Sequence, residues 1–215
     1  MTRVLGIGFA ASFAGAAAGQ VTAFDVEHIV SDDGSRIANV LSIDFDGLYQ
    51  GTQLVVELTE GAIINETLFG SPNDSPPPEG RLNFFPEFAF DTYAAQGDRF
   101  AAGNVGGLNI GGAAVNILPM DTEVRWDQTQ RLSRAWNDVG SPDILEGTHF
   151  VVAQLGLTSD AQGEFIFFTA VADNFFQTGI DTVTYRIENG KVVPVPEPGM
   201  LGALGVLGWL GLRRR

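Results

Sequence analysis

Hydrophobic positions recur at every second residue along most of this chain, in short runs separated by polar or glycine-containing breaks, which is the periodicity of strands. Val21 to Val30 predicts an opening strand, stopped by the polar turn Ser31-Asp32-Asp33-Gly34-Ser35. From Ile37 to Asp46, Leu41, Ile43 and Phe45 fall on one face and Ser42, Asp44 and Asp46 on the other. The first face is predicted to be core and the second to be solvated. Gln53 to Thr59 is a denser apolar run, as expected of a strand covered on both sides, and Gly61 turns it into a further stretch from Ala62 to Phe69.

Gly70 to Gly80 holds Pro72, Asn73, Asp74, Ser75 and three successive prolines, a loop unsuited to a sheet interior. Leu82 to Tyr93 then alternates, with Phe84, Phe88, Phe90 and Thr92 sharing one face and Phe85, Glu87, Ala89, Asp91 and Tyr93 the other. This predicts a strand with its phenylalanine face buried. The glycines of Ala101 to Ala114 suggest a phosphate loop, but no dinucleotide or P-loop spacing is present and Val115 to Pro119 has a strand pattern, so a bulged β connection is expected. Thr122 to Asn137 is irregular, holds Arg125, Arg131 and Arg134 about Trp126 and Trp136, and leaves room for a short helix.

The closing strands are the most regular. Thr148 to Leu157, the turn Ser159 to Gly163 and Glu164 to Ala172 predict a hairpin. Val183, Tyr185 and Ile187 lead to Asn189-Gly190, a strong two-residue hairpin signal, and Lys191 to Val193 return. About ten strands with almost no helix imply an all-β fold, a two-sheet antiparallel β-sandwich of jelly-roll-like or Ig-like kind.

Composition alters this picture at the two ends. Met1 to Arg3 is a singly charged start, Val4 to Ala18 an apolar run, and Ala16 to Ala18 supply the small side chains that signal peptidase requires. Residues 1–19 are thus expected to be a signal peptide, cut after Ala18 or Gly19, with a second small-residue site at Val21-Thr22-Ala23. At the other end the fourteen uncharged residues from Gly199 to Leu212 precede Arg213, Arg214 and Arg215. As a helix they span roughly 21 Å, short of the roughly 30 Å hydrocarbon core, so a weakly seated single membrane helix is expected in the precursor. Glycines at 202, 205, 208 and 211 leave a strip for close helix packing. Pro194, Pro196 and Pro198 keep Glu197 extended just outside the membrane.

Pro196-Glu197-Pro198, a short glycine- and leucine-rich helix and a terminal arginine cluster resemble the PEP-CTERM sorting signal of Gram-negative bacteria. The resemblance covers about a tenth of the chain. It implies that an exosortase recognises residues 194–215, cuts near the motif at 196–198 and passes the body from the inner membrane to the cell surface or an exopolysaccharide matrix. Residues 20–193 remain as the acidic β-sandwich domain.

Removing Arg3 and the three terminal arginines takes the formal net charge from -14 to about -18. A body this acidic repels phosphate backbones and anionic membranes, which disfavours nucleic-acid binding and leaves the precursor's helix as the membrane contact. The chain has no cysteine, so the exported domain relies on packing.

Candidate chemistry is sparse. His28 and His149 are the only histidines, and neither sits in a metal or nucleophile motif. Asp44 with Asp46 and Glu87 with Asp91 read as the products of strand alternation. Asp32, Asp33, Asn73, Asp74, Asp173 and Asn174 offer hard oxygens for Ca2+ without EF-hand spacing, so no cofactor is expected. Two N-x-[ST] matches, at Asn65 and Asn73, are read as accidental beside a bacterial tail. A non-enzymatic surface or matrix protein is therefore expected. The rival is a module for exopolysaccharide, with Trp126, Trp136 or Tyr93 as stacking platforms, and a glycan hydrolase is third.

Overall fold

A computed structural model describes residues 19–65, 67–68, 71–72, 76–77, 79–100, 108–111, 129–138, 146–172 and 178–195. The strands are β1 (Gln20–Val30), β2 (Arg36–Asp46), β3 (Leu48–Glu60), β4 (Thr67–Leu68), β5 (Ser71–Pro72), β6 (Tyr93–Gly97), β7 (Leu108–Gly111), β8 (Arg131–Asp138), β9 (Glu146–Thr158), β10 (Gln162–Ala172), β11 (Thr178–Glu188) and β12 (Lys191–Pro194). One helical turn, α1 (Glu79–Leu82), and a 3-10 helix (Pro86–Phe90) lie between β5 and β6. A four-stranded sheet in the order β1-β2-β9-β6 packs on a six-stranded sheet in the order β12-β11-β10-β3-β8-β7, with antiparallel pairing throughout the described residues. β4 and β5 form a separate two-stranded pair. The all-β, two-sheet expectation is met.

The layer between the sheets is apolar and largely aromatic. Phe24, Leu41, Ile43 and Phe45 from the smaller sheet meet Leu54, Val56, Leu132, Phe165, Phe167 and Ile187 from the larger one, each 3 % exposed or less. Phe24 stands at its centre, with ring centroids 4.8 Å from Phe167 and 5.1 Å from Tyr185. The face predicted from alternation in β2 is thus the core face. β3 and β10 are buried continuously over residues 51–56 and 167–172, as the dense apolar run around Gln53 implied.

The other face of β2 departs from expectation. Val40 packs with Tyr93, Ala95 and Val151 in a second apolar cluster, and Ser42 is 2 % exposed, so of Ser42, Asp44 and Asp46 only the two carboxylates reach solvent. The cover comes from the 3-10 helix, which packs against β2 and β9, while β6 extends the same sheet along the edge of β9. That segment was expected to be one strand from Leu82 to Tyr93. Pro86 has no N–H to give a ladder and its fixed φ suits the first turn of a helix, so residues 86–90 coil instead. The phenylalanine face is split as a result: Phe88 is buried, whereas Phe84 is 80 % exposed. The region from Ala62 to Phe69 gives an isolated bridge between Ile63 and Leu157 and the two residues of β4. Of the stretch from Thr122 to Asn137, which left room for a short helix, residues 131–137 belong to β8 and 122–128 lie outside the described residues.

The expected hairpin of β9 with β10 does not form. β9 has β2 and β6 on its two edges and β10 has β3 and β11, so neither has a free edge for the other. The link is a corner that passes between sheets, with Ala161 fully buried and its carbonyl accepting the N–H of Gly190 (2.9 Å). The β11–β12 hairpin forms as the Asn189-Gly190 signal predicts, with φ of 51° and 73° at the two turn residues.

Side chains from the smaller sheet seal the outer edge of β12. Asn39, fully buried, donates from Nδ2 to the carbonyls of Leu155 (3.1 Å) and Gly190 (3.0 Å) and accepts the N–H of Val192 (2.9 Å). Nε2 of His28 donates to the carbonyl of Val192 (3.0 Å). At Val192 both outward backbone groups are therefore satisfied across the sheets.

Two predictions follow from this packing. Replacing Phe24 by alanine is expected to destabilise the protein by about 3–5 kcal/mol in urea titrations, because the cavity opens at the centre of the layer. Phe84→Ala should stay within about 0.5 kcal/mol. Burial is the main cause that lowers the His28 pKa below 6.5, with the Lys191 charge adding to it against the Val192 bond. A histidine depressed in the folded state favours folding above its unfolded value and loses that contribution as pH falls through the folded one. Stability of the wild type should therefore fall as the pH drops below about 6.5, and His28→Gln should flatten that limb. An unchanged limb in the variant counts against this role.

Candidate functional site

A concave surface with side-chain chemistry lies among the described residues at one end of the β1–β2–β9 face. It is a depression of about 420 Å³ lined by Thr22, Asp44, Phe45, Asp46, Gly147 and Thr148. β9 makes it possible by irregular pairing: its register against β2 shifts between Leu41 and Ser42 and again between Ile43 and Phe45. The extra residues push His149 into the left-handed region, with φ of 53°. Its backbone N–H leaves the ladder and donates to Oδ1 of Asp44 (2.6 Å). Gly147 must be glycine here, because a methyl would collide with the Phe45 ring.

This geometry brings Ser42, Asp44 and His149 together, which separation in sequence hides. Oγ of Ser42 is 3.3 Å from Nδ1 of His149, within hydrogen-bond reach. The roles differ from those of a hydrolytic triad. The Asp44 oxygen given to His149 holds its backbone, so this bond leaves the ring unoriented, and Ser42 is enclosed where a nucleophile must meet substrate. What the arrangement does is stabilise the bulge. Asp44 replaces the lost ladder acceptor, and a charge-assisted bond to a backbone N–H is stronger than a neutral one.

A second polar centre lies beneath the 3-10 helix. Gln154, fully buried on β9, accepts at Oε1 from Nε of Arg99 (2.6 Å) and from the Tyr93 hydroxyl (3.2 Å). Its Nε2 donates to the carbonyls of Asp91 (2.6 Å) and Ala89 (3.1 Å). Nη2 of Arg99 also reaches the Ala89 carbonyl (2.8 Å), and its guanidinium lies 4.4 Å from the centroid of Phe100. Thr92 completes the seam, donating to Ile64 (2.6 Å) and accepting the N–H of Gly156 (3.0 Å). Burial raises the Tyr93 pKa and lowers that of Arg99, the ordinary sign for a hydroxyl and a cation taken out of water. These bonds are buried or partly buried, and the network fastens the covering segment to the sheet.

The residues singled out in the sequence fare unevenly. Tyr93 is 0 % exposed with its hydroxyl on Gln154, so it is not a stacking platform for sugar. Trp136 lies on β8 between Thr52 and Ile110, and its side chain falls outside the described residues. Trp126, Pro196, Glu197, Pro198, Arg213, Arg214 and Arg215 also fall outside them. Glu87 and Asp91 are not a pair on one solvated strand face: Glu87 sits on the 3-10 helix and Asp91 is fully buried. Asp33 caps its own turn, where the hydroxyls of Ser31 and Ser35 and the Ser35 N–H take its pKa down to about 2. Asn73, Asp74, Asp173 and Asn174 lie outside the described residues, and among those described no three acidic or histidine side chains are grouped to hold a metal.

Sequence reading missed Asn39, Gln154 and Arg99. Asn39 and Gln154 each interrupt an apolar run, Ile37 to Leu41 and Val151 to Leu155, and a polar amide inside such a run is the signal that marks a buried hydrogen-bonding position. No family model, curated protein or solved structure matches the chain.

Gln154→Ala is expected to cost about 2–3 kcal/mol in equilibrium unfolding, because the Arg99 and Tyr93 donors lose a shared buried acceptor. A loss below about 0.5 kcal/mol would show that the seam is not needed to hold the cover.

Proposed function

We propose that this chain is an exported, non-enzymatic protein of the cell surface or extracellular matrix, sorted through a PEP-CTERM signal that an exosortase cuts. The observation that carries the reading is the order of parts in the tail: Pro196-Glu197-Pro198, fourteen uncharged residues and three terminal arginines. An apolar, small-residue leader at the start accords with it. The single membrane helix of residues 199–212 holds the precursor at the inner membrane, with the arginines on the cytoplasmic side.

The body is compatible with that route. β12 ends at Pro194, paired with Tyr185, and only Val195 separates it from the motif. The candidate motif thus follows β12 closely in sequence, and its prolines lack the N–H that a ladder uses. Among the described residues no helix is long and apolar enough to cross a membrane. The polar side chains grouped in the body are engaged in holding a bulge and a covering segment, which favours a structural or interaction role over turnover.

Intact-mass analysis tests the reading. The mature product from cells should lack Arg213 to Arg215, and deletion of the exosortase gene should leave the uncut chain in the membrane fraction. A cell-surface product that retains the tri-arginine end defeats the sorting claim. Exopolysaccharide binding abolished by Trp126→Ala would replace the non-binding role with the sugar-module reading, and glycan turnover would replace it with a hydrolase.

A further inference from the structure

We propose that the mature protein begins at Gly19, through hydrolysis of the peptide bond between residues 18 and 19. The proposal rests on the export reading and specifies its first cut. Three bonds satisfy the small-residue rule of signal peptidase: those after Ala18, after Gly19 and after Ala23. Sequence leaves them open.

Packing separates them. Gly19 is buried at the corner where β2 crosses to β3 through Gly47, whose φ is 118°. A methyl on Gly19 would stand 2.5 Å from the Ala172 oxygen and 2.8 Å from Cγ1 of Val171. A methyl on Gly47 would meet the same oxygen at 2.5 Å and the Gly19 Cα at 2.8 Å. The backbone of Gly19 thus occupies a space shaped for a residue without a side chain, between the end of β10 and the sheet-crossing corner. A cut after Gly19 empties that space, and close-packed interiors lose contacts when a gap too small for water is left.

A cut after Ala23 removes far more. Val21 is 2 % exposed in the main core, and its N–H donates to Oδ2 of Asp181 (2.8 Å), which ties β1 to β11. Lost with it are the pairings of Gln20 with Asp46, Val21 with Phe45 and Ala23 with Asp44. Of the three bonds, only the one before Gly19 leaves Gly19, Val21 and the first pairs of β1 in the body. In the cut itself, water adds to the carbonyl of Ala18 and the C–N bond breaks. Ala18 leaves as a carboxylate, and both protons of the water end on the Gly19 nitrogen, which becomes an α-ammonium. The new cation enters a strongly acidic body, beside the strand pair that ends at Asp46.

Top-down mass spectrometry of the full-length protein expressed in its own cells and recovered from the envelope or medium tests this. The expected N-terminus is Gly19. A start at Gln20, Phe24 or any other internal residue overturns the proposal and leaves export standing. A product that keeps Met1 removes the export reading itself and the proposal with it. Gly19→Val in the full chain supplies the second measurement. The variant should still be exported and cut before position 19, yet be cleaved on the order of tenfold faster by added protease, which reports the open population. Wild-type resistance in that variant would place residue 19 outside the fold and overturn the proposal.

Discussion

Two sheets can share one apolar layer only if the chain changes sheets without exposing that layer, and this constraint governs the molecule. Phe24 presses on Phe167 and Tyr185 across the layer, and the corners at Gly47 and at Ser159 to Ala161 let strands neighbouring in sequence lie in different sheets. Each corner is tight. Gly47 has a positive φ and no room for a side chain, and Ala161 is fully buried with its carbonyl committed to Gly190. A wider corner at either place would leave core aromatic surface open to water, and apolar burial is the main favourable contribution to folding.

The buried polar groups serve the same constraint. Asn39 and His28 close the edge of β12 from the opposite sheet, while Gln154 fixes the covering segment above Val40 and Val151. Asp44 substitutes for a ladder bond that the β9 bulge gives up. Polar side chains in an apolar interior are costly unless paired, so their placement in bridging roles accounts for their presence without a ligand. Among the described residues these polar groups are committed to holding the packed body together.

Alternation along β2 and β11 and the dense apolar run of β3 made these strands and the core face of β2 legible, because a side chain's face depends only on its own strand's pleat. The Asn189-Gly190 turn was equally local, and its two positive φ values are written in the residue types. The candidate sorting motif and leader were legible for the same reason, since each is a linear order of residue types. The depression at Asp44 and the pair of Ser42 with His149 were not. They depend on a register shift between strands about a hundred residues apart in the chain, and no local pattern marks a bulge.

Sequence alone thus settled that the chain is β, which side of β2 faces the main core, and where the composition of its ends differs from that of its body. Tertiary structure decided which strand lies beside which, turned the expected β9–β10 hairpin into a crossing between sheets, coiled the segment around Pro86 and enclosed Tyr93. The reason is that pleating and turn chemistry act within a few residues. Pairing and cover are a competition among distant edges and faces for one apolar layer, and its outcome exists only when all of them are present together.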